Sequence, residues 1–368
     1  MIKLGIDARP ITSEHLGGIG VYTKAVLHRL LSDDRFEVFC YANQPLAWFE
    51  DVVDERHFRL MSGRPSAFFY RYAWGKTIQR DNLDVFWGTA QVLPRQTVAQ
   101  REVLTVHDLA LLIDSSWGNS RIDYLVERFH TPRSIRRADC VICVSDSTSH
   151  DIDELVGVVK GSKHVVHLGG PVCDSAQLEQ MTGKAVLEGD FFVYFGDLNE
   201  RKNIKNLLRA FADVARKRAC HLVIGGKGSS SDVDALVTYI GANDVRECID
   251  VVGFVTDEEK HTLLSRSCAL VFPSRYEGFG LPILEGMSAG TLVVTSRVSS
   301  LPEVAGQAAV YVDDPEDADA LAEALLTCLD MPADERESRI EAGRHQASIF
   351  SWDKCAADTV GLLAGNFD

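Results

Sequence analysis

Glu277 and Glu285 stand with seven residues between them in SRYEGFGLPILEGMSAG (Ser274–Gly290), where most of the surrounding positions are glycine or small. Gly278 and Gly280 let the backbone beside Glu277 approach a bound molecule closely. Pro282 suits the first turn of a helix, where its missing N–H is not needed, and Gly290 suits the position just past the last turn. Helical spacing puts Pro282, Glu285, Gly286 and Ala289 on one face, small apart from its carboxylate, and turns Ile283, Leu284 and Met287 toward a core. Free N–H groups at a helix start suit phosphate. Glu285 would then accept hydrogen bonds from a ribose diol, and Glu277 would address another part of the same ligand. The spacing fits equally well a βα turn with a solvated Glu277 and a Glu285 favoured by the helix dipole.

Other groups with chemical potential also follow strand-like runs. In GDLNERKNIKNLL, Arg201 and Lys202 stand where a strand loop meets a helix; there they would neutralise a diphosphate, or form an ordinary solvated basic loop. TVHDL ends a strand with His107, which would hydrogen-bond a sugar hydroxyl, act as a base, or be a satisfied structural histidine. Gly17, Gly18 and Gly20 precede the first helix without forming G-x-G-x-x-G, since Thr23 occupies the last position, and the chain holds no P-loop. Their place at a helix N-terminus suits an anion. GGKGSS (from Gly225) is a further glycine-rich loop. GFVTDEEK, with Phe254, ends a strand, caps a helix through Thr256 or Asp257 and offers backbone to a base.

These groups need a scaffold that brings strand ends together. Strand-like runs alternate with helical ones from IKLGID to ADCVICVS and again from DFFVYFGD to AAVYVD. That alternation predicts parallel sheets covered by helices on both faces, in two similar halves. Ligands of such sheets bind beyond the carboxyl ends of the strands, so two halves facing each other would form a cleft. The linker is expected near Gly169–Lys184. The length of 368 residues agrees with two domains.

A net charge of −15 argues against nucleic-acid binding, and no apolar run approaches the length needed to span a bilayer. With no signal peptide read at the N-terminus and nine scattered cysteines, a reducing cytoplasm is expected. Cys140 and Cys143, three apart on a strand, read as core thiols. The D-x-D triplets at Asp151, Asp232 and Asp317 fall in helical or polar surface segments and read as solvated charges, so no metal is expected. FFYRYAW (Phe68–Trp74) and RFHTPRSIRR (Arg128–Arg137) combine aromatic and basic residues. They fit either an acceptor at a membrane surface or a core helix with a solvated basic face.

In family order and over nearly the whole chain, GGIGVY, HD after a strand, ADCVICVSDST, GDLNERKN, GGKG and FPSRYEGFGLPILEGMSAG resemble the retaining glycosyltransferases of family 4; the last carries the family's E-x7-E signature. The resemblance implies the GT-B fold: two Rossmann-like, doubly wound parallel-sheet domains facing a central cleft. The division expected is an acceptor-side domain at 1–170 and a nucleotide-sugar domain at 171–350, with a 351–368 helix packing back on the first. It implies transfer of a hexose, with mannose favoured, from a GDP- or UDP-sugar to a glycan or lipid-linked acceptor, without a metal cofactor. Glu277 and His107 would meet the donor sugar and Glu285 the ribose. Arg201 and Lys202 would hold the diphosphate, helped by backbone near Gly18 and Phe279–Leu281. Ser274, Gly278, Gly280, Gly225 and Phe254 complete the expected donor site. The family is thought to react by front-face attack, the leaving phosphate taking the acceptor's proton, so the demand on the protein is electrostatic. One departure is Asp197 after Gly196, where many relatives have arginine; it leaves the clamp resting on Arg201 and Lys202. An epimerase or hydrolase of the same fold, or a non-catalytic sugar-nucleotide-binding protein, are the competing readings. Oligomeric state is left open.

Overall fold

The computed structural model describes residues 1–13, 16–46, 58–61, 74–118, 121–171, 189–226 and 228–366, without the side chains at 121–123 and 126. Most of the expected linker and all of Phe68–Ala73 lie outside the described residues. The chain forms two compact units, Met1–Gly169 with Trp352–Asp368, and Gly170–Ser351.

The first unit holds a sheet of order β3-β2-β1-β4-β5-β6-β7, where β1 is Ile2–Asp7, β2 Phe36–Ala42, β3 Phe58–Leu60, β4 Leu83–Gly88, β5 Ala99–Val106, β6 Cys140–Cys143 and β7 Ser162–Val165. The second holds β10-β9-β8-β11-β12-β13, where β8 is Phe191–Phe195, β9 His221–Gly225, β10 Ile249–Gly253, β11 Ala269–Phe272, β12 Leu292–Ser296 and β13 Val310–Val312. Every pairing is parallel. The central strands read as unbroken apolar runs because helices cover both faces; β8, β11 and β12 are buried at every residue. The short strand β3 carries no alternation a sequence reading would find.

In both sheets the order runs 3-2-1-4, so the connections wind in opposite directions on either side of one strand pair: β1/β4 in the first unit and β8/β11 in the second. Loops leaving the carboxyl ends of such a pair diverge and open a crevice, the place where ligands bind in open α/β sheets.

Helices start at sequence-encoded caps. Thr256 and Ser229 form capping boxes with Glu259 and Asp232, and Ser145 accepts from the Thr148 N–H. The first helix runs Gly18–Leu31, so GGIG opens the helix rather than preceding it. Gly20 is glycine because a Cβ there would lie 2.7 Å from the Pro10 carbonyl oxygen. The final helix, Trp352–Ala364, returns to the first unit and packs on Gly18–Leu31. The buried Tyr22 hydroxyl sits 3.1 Å from Thr105 Oγ1 and 3.2 Å from Thr359 Oγ1, and Arg101 donates to the Leu363 carbonyl. Cys140 and Cys143 are buried in β6 and burial raises both thiols, Cys143 to about 12, in keeping with inert core residues. The acidic triplets lie on helices, as expected: Asp151 and Asp153 within Asp146–Leu155, Asp232 and Asp234 within Ser230–Tyr239, and Asp317 capping Ala318–Asp330.

Candidate active site

At the second switch point, the loop after β8 carries Arg201 and Lys202, and the loop after β11 carries Glu277. Polar contacts to backbone tie these loops together. The Arg275 N–H donates to the Arg201 carbonyl at 2.8 Å, and Asn203 Nδ2 donates to the Pro273 carbonyl at 3.1 Å. Asn203 sits in the left-handed region (φ 59°), which asparagine tolerates better than most residues, and from there it starts the Ile204–Ala215 helix. Asn199 accepts from the Lys202 N–H at 3.0 Å and turns the loop ahead of the two cations.

The Glu277 carboxylate receives both cations: Arg201 Nη1 at 2.9 Å on one oxygen and Lys202 Nζ at 2.7 Å on the other. Glu277 is 7% exposed. Burial by itself pushes its carboxyl up, but Lys202 and Arg201 outweigh that and hold it below the ordinary range, so it is ionised at neutral pH. Lys202 Nζ also lies 4.8 Å from the Phe272 ring centre, a cation–π contact. Two cations around one carboxylate leave that three-residue cluster with a net charge of +1. The backbone of Glu277 is anchored too: its N–H donates to Ser299 Oγ at 2.9 Å, and the Ser300 hydroxyl bridges the carbonyls of Glu277 (2.9 Å) and Phe279 (2.6 Å).

Glu285 sits on the Leu281–Ala289 helix and pairs with Lys260 of the Asp257–Arg266 helix. The helix has Pro282 in its first turn and Gly290 at its stop with φ 76°. The small face expected around Glu285 splits in two. Gly286 points at the sheet, where a Cβ would come within 2.9 Å of Leu270 Cδ2 and 3.3 Å of Val293, and Ala289 is buried. Gly286 is therefore small so that helix and sheet can pack closely, not so that a ligand can approach. Ser274, in the loop after β11, is wholly buried, and its carbonyl accepts from Ser296 Oγ at 2.7 Å.

The other second-unit positions expected at a donor site lie along this carboxyl edge. Gly280 (φ 127°) caps the Leu281–Ala289 helix, and Phe279 is buried edge-on against Phe350 with ring centres 5.6 Å apart. Gly225 ends β9, where a Cβ would lie 2.5 Å from the Phe195 ring. Gly253 ends β10 with φ 68°, followed by Phe254, which is 67% exposed. Gly278 and Leu281 flank Phe279 and Gly280 in the same turn. Lys227 lies outside the described residues.

The first unit's switch point is made differently. His107, at the end of β5, is 7% exposed. Its Nε2 lies 2.9 Å from the Thr89 carbonyl, which can only accept, so Nε2 carries the proton and Nδ1 is the acceptor. Burial lowers its pKa, against smaller opposing effects of the Thr89 contact and Asp108, so the ring is neutral. The Thr89 hydroxyl donates to the Asp7 carbonyl at 2.6 Å, tying β4 to β1. The buried Asp7 carboxylate takes Arg9 Nε at 2.8 Å and Nη2 at 2.6 Å. Gly18 is exposed at the start of its helix, behind Gly17 as cap.

Sequence reasoning missed Lys260, Ser299, Ser300, Asn199 and the Asp7–Arg9 pair. Asn199 left a local trace, as a side-chain turn three residues before Lys202, and so did Asp7, whose carboxylate accepts from the Arg9 N–H two residues on at 3.3 Å; Lys260, Ser299 and Ser300 join positions that no spacing rule connects. Of the aromatic stretch, only Trp74 is described, and it is core at 2% exposed. In the basic stretch, Arg136 donates to the Val156 carbonyl, while Arg137 pairs with Glu102 and donates to the Pro94 and Arg95 carbonyls. Those two arginines are structural.

Residues 16–169 match the family described as Glycosyltransferase Family 4, and residues 180–346 the one described as Glycosyl transferases group 1. Among curated proteins, the chain is 31% identical over 302 residues to the O-antigen chain mannosyltransferase B of Escherichia coli, covering 79% of this chain and 76% of that one. Among solved structures it resembles the sucrose-phosphate synthase of Thermosynechococcus elongatus (TM-score 0.75, 21% identity, 100% of this chain and 99% of that one). It also resembles Anabaena HepE in complex with UDP-glucose (TM-score 0.74, 15% identity, 99% and 100%). The chain belongs to glycosyltransferase family 4 and is a glycosyltransferase of the GT-B fold.

Proposed function

We propose that this enzyme moves a hexose, mannose in the favoured case, from a nucleoside-diphosphate sugar to a glycan or lipid-linked glycan with retention of anomeric configuration. The observation that carries the reading is the pair of cations, Arg201 and Lys202, held on one buried carboxylate at the second sheet's switch point. Departure of a nucleoside diphosphate builds negative charge on a phosphate oxygen. Cations fixed before the reaction stabilise that charge without reorganising at the moment of bond breaking. Both oxygens of Glu277 are occupied, so the carboxylate serves to aim the cations and meet the sugar; it is not assigned as a nucleophile. Glu285, steadied by Lys260, is assigned to the ribose. The neutral His107, with Nδ1 as an acceptor, is assigned to a sugar hydroxyl.

The mannosyltransferase among the relatives supports mannose as the sugar moved, with GDP-mannose the favoured donor, and the neighbour solved with UDP-glucose keeps UDP-hexoses in play. Arg201 and Lys202 supply the positive charge that a metal would otherwise bring, so no metal cofactor is assigned. The reaction is placed in the cytoplasm, in keeping with free thiols such as Cys248 and Cys268, which are only partly buried. Among the described residues no helix is long and apolar enough to cross a membrane.

The test is a panel of sugar nucleotides screened by thermal shift, followed by turnover of the stabilising donor with excess chelator and NMR of the product's anomeric proton. Transfer with retained configuration supports the proposal. Inversion, epimerised donor, release of free sugar alone, or a strict Mg²⁺ or Mn²⁺ requirement would overturn it.

A further inference from the structure

The Arg121–Arg137 helix packs into the first unit through Thr131, Ser134 and Ile135, and so far it is the core helix with a basic face foreseen from the sequence. That reading leaves its outer face unexplained. At about 100° per residue, Leu125, Arg128, Phe129, Pro132, Arg133 and Arg136 fall within about 140° of arc. Leu125 is 49% and Phe129 48% exposed, and Ile113, on the short helix packed against this one, is 44% exposed. Arg128 and Arg133 are exposed around them, and Arg136, also exposed, keeps its guanidinium on the Val156 carbonyl. Among the described side chains of the helix, no carboxylate shares the arc. The nearest acid along the helix, Glu127, points inward, where burial, with Asp108 adding, pushes its carboxyl up to about 8. Beside Ile113, Asp114 caps the Ser116 N–H.

A wholly cationic face with large apolar residues along its middle is unusual on a chain of net charge −15. Such a chain is repelled as a whole by an anionic surface and can approach one only through a local positive patch. Arginine stems lie along apolar surface while their heads reach phosphate, and Leu and Phe between them enter the acyl boundary. A two-fold contact with a second copy through this face would set arginine against arginine. We propose that the outer face of the Arg121–Arg137 helix, with Ile113, docks the enzyme on a bilayer of anionic phospholipid, the helix lying in the plane of the interface.

The test is flotation of the full chain with phosphatidylcholine vesicles, with and without phosphatidylglycerol. It needs no turnover, so its outcome is independent of the donor assignment. The wild type is expected to float only with the anionic vesicles and to be released by high salt. Each arginine removed should weaken binding about fivefold, so Arg128→Glu with Arg133→Glu should lose about 25-fold or more, at unchanged circular dichroism. Phe129→Ser should weaken binding in both low and moderate salt. The equally charged pair Lys217→Glu with Arg266→Glu, on the second unit, should leave binding unchanged. Failure of the wild type to float with anionic vesicles would overturn the proposal. So would an equal loss in the control pair, or a solution dimer that Phe129→Ser dissolves.

Discussion

The two sheets share a strand order and a switch point, yet the chemistry at their carboxyl edges differs. In the second unit the edge is charged and cross-braced: Arg201 and Lys202 grip Glu277, and Asn203, Ser299 and Ser300 lock the two loops that carry them. In the first unit the centre of the edge is a chain of hydrogen bonds, from His107 to the Thr89 carbonyl and from the Thr89 hydroxyl to the Asp7 carbonyl. Its only acid–base pair there among those contacts, Asp7 with Arg9, is neutralised internally. One scaffold thus offers an excess of positive charge at one edge and oriented neutral groups at the other. The first suits a substrate part that gains charge as it reacts; the second suits hydroxyl groups that must be aimed.

The comparison breaks first at Lys202. Lys202→Ala is expected to lower turnover about 10²–10³-fold, the scale of losing one preorganised charge-stabilising donor, with circular dichroism unchanged. A near-normal rate would remove the charged edge from the chemistry. At the neutral edge, His107→Gln is expected to cost less, about tenfold in kcat/KM, consistent with loss of a single neutral hydrogen bond.

Acid titration sharpens the contrast. Glu277 binds protons more weakly folded than unfolded, so its ion pairs contribute stability above its ordinary value of 4.5, and that stability is lost as pH falls through the lower folded value. In Lys202→Ala, burial of Glu277 is opposed by Arg201 with less help, so its folded value is less depressed and the fall in Tm below pH 4.5 should be smaller than in the wild type. His107, also lowered by burial, loses stability as pH falls below its ordinary 6.5. His107→Gln should flatten Tm between that value and the onset of carboxylate protonation.

The smallest effects separate packing glycines from open ones. Gly286→Ala forces a Cβ against Leu270 and should cost about 1–3 kcal/mol in urea unfolding. Gly17→Ser, where no atom lies within 4 Å of the added Cβ and serine is a good helix cap, should leave stability within about 0.5 kcal/mol.

Much of the charged edge was legible in the sequence because its parts are local. GDLNERKN and FPSRYEGFG each sit in a single strand-to-helix turn, and the apolar runs before them announce parallel strands. What stayed hidden depends on strand order. Nothing in the spacing says that β8 and β11 are neighbours, hence that Lys202 meets Glu277, or that Lys260 meets Glu285. Gly286 misled for a related reason: a glycine beside a functional carboxylate reads as room for a ligand until the sheet behind it is seen. The neutral edge was the least legible, since Asp7, Thr89 and His107 come from three distant strands and bond partly through backbone.

Arg201 and Lys202 are proposed to hold the diphosphate. Calorimetry with GDP, GMP, UDP and UMP tests it most directly, in the wild type and in Lys202→Ala. For the base that binds, the wild type should prefer the diphosphate over the monophosphate by about tenfold to a hundredfold, the range of one charge-assisted hydrogen bond, and Lys202→Ala should erase most of that preference. An undiminished preference in Lys202→Ala would contradict the account.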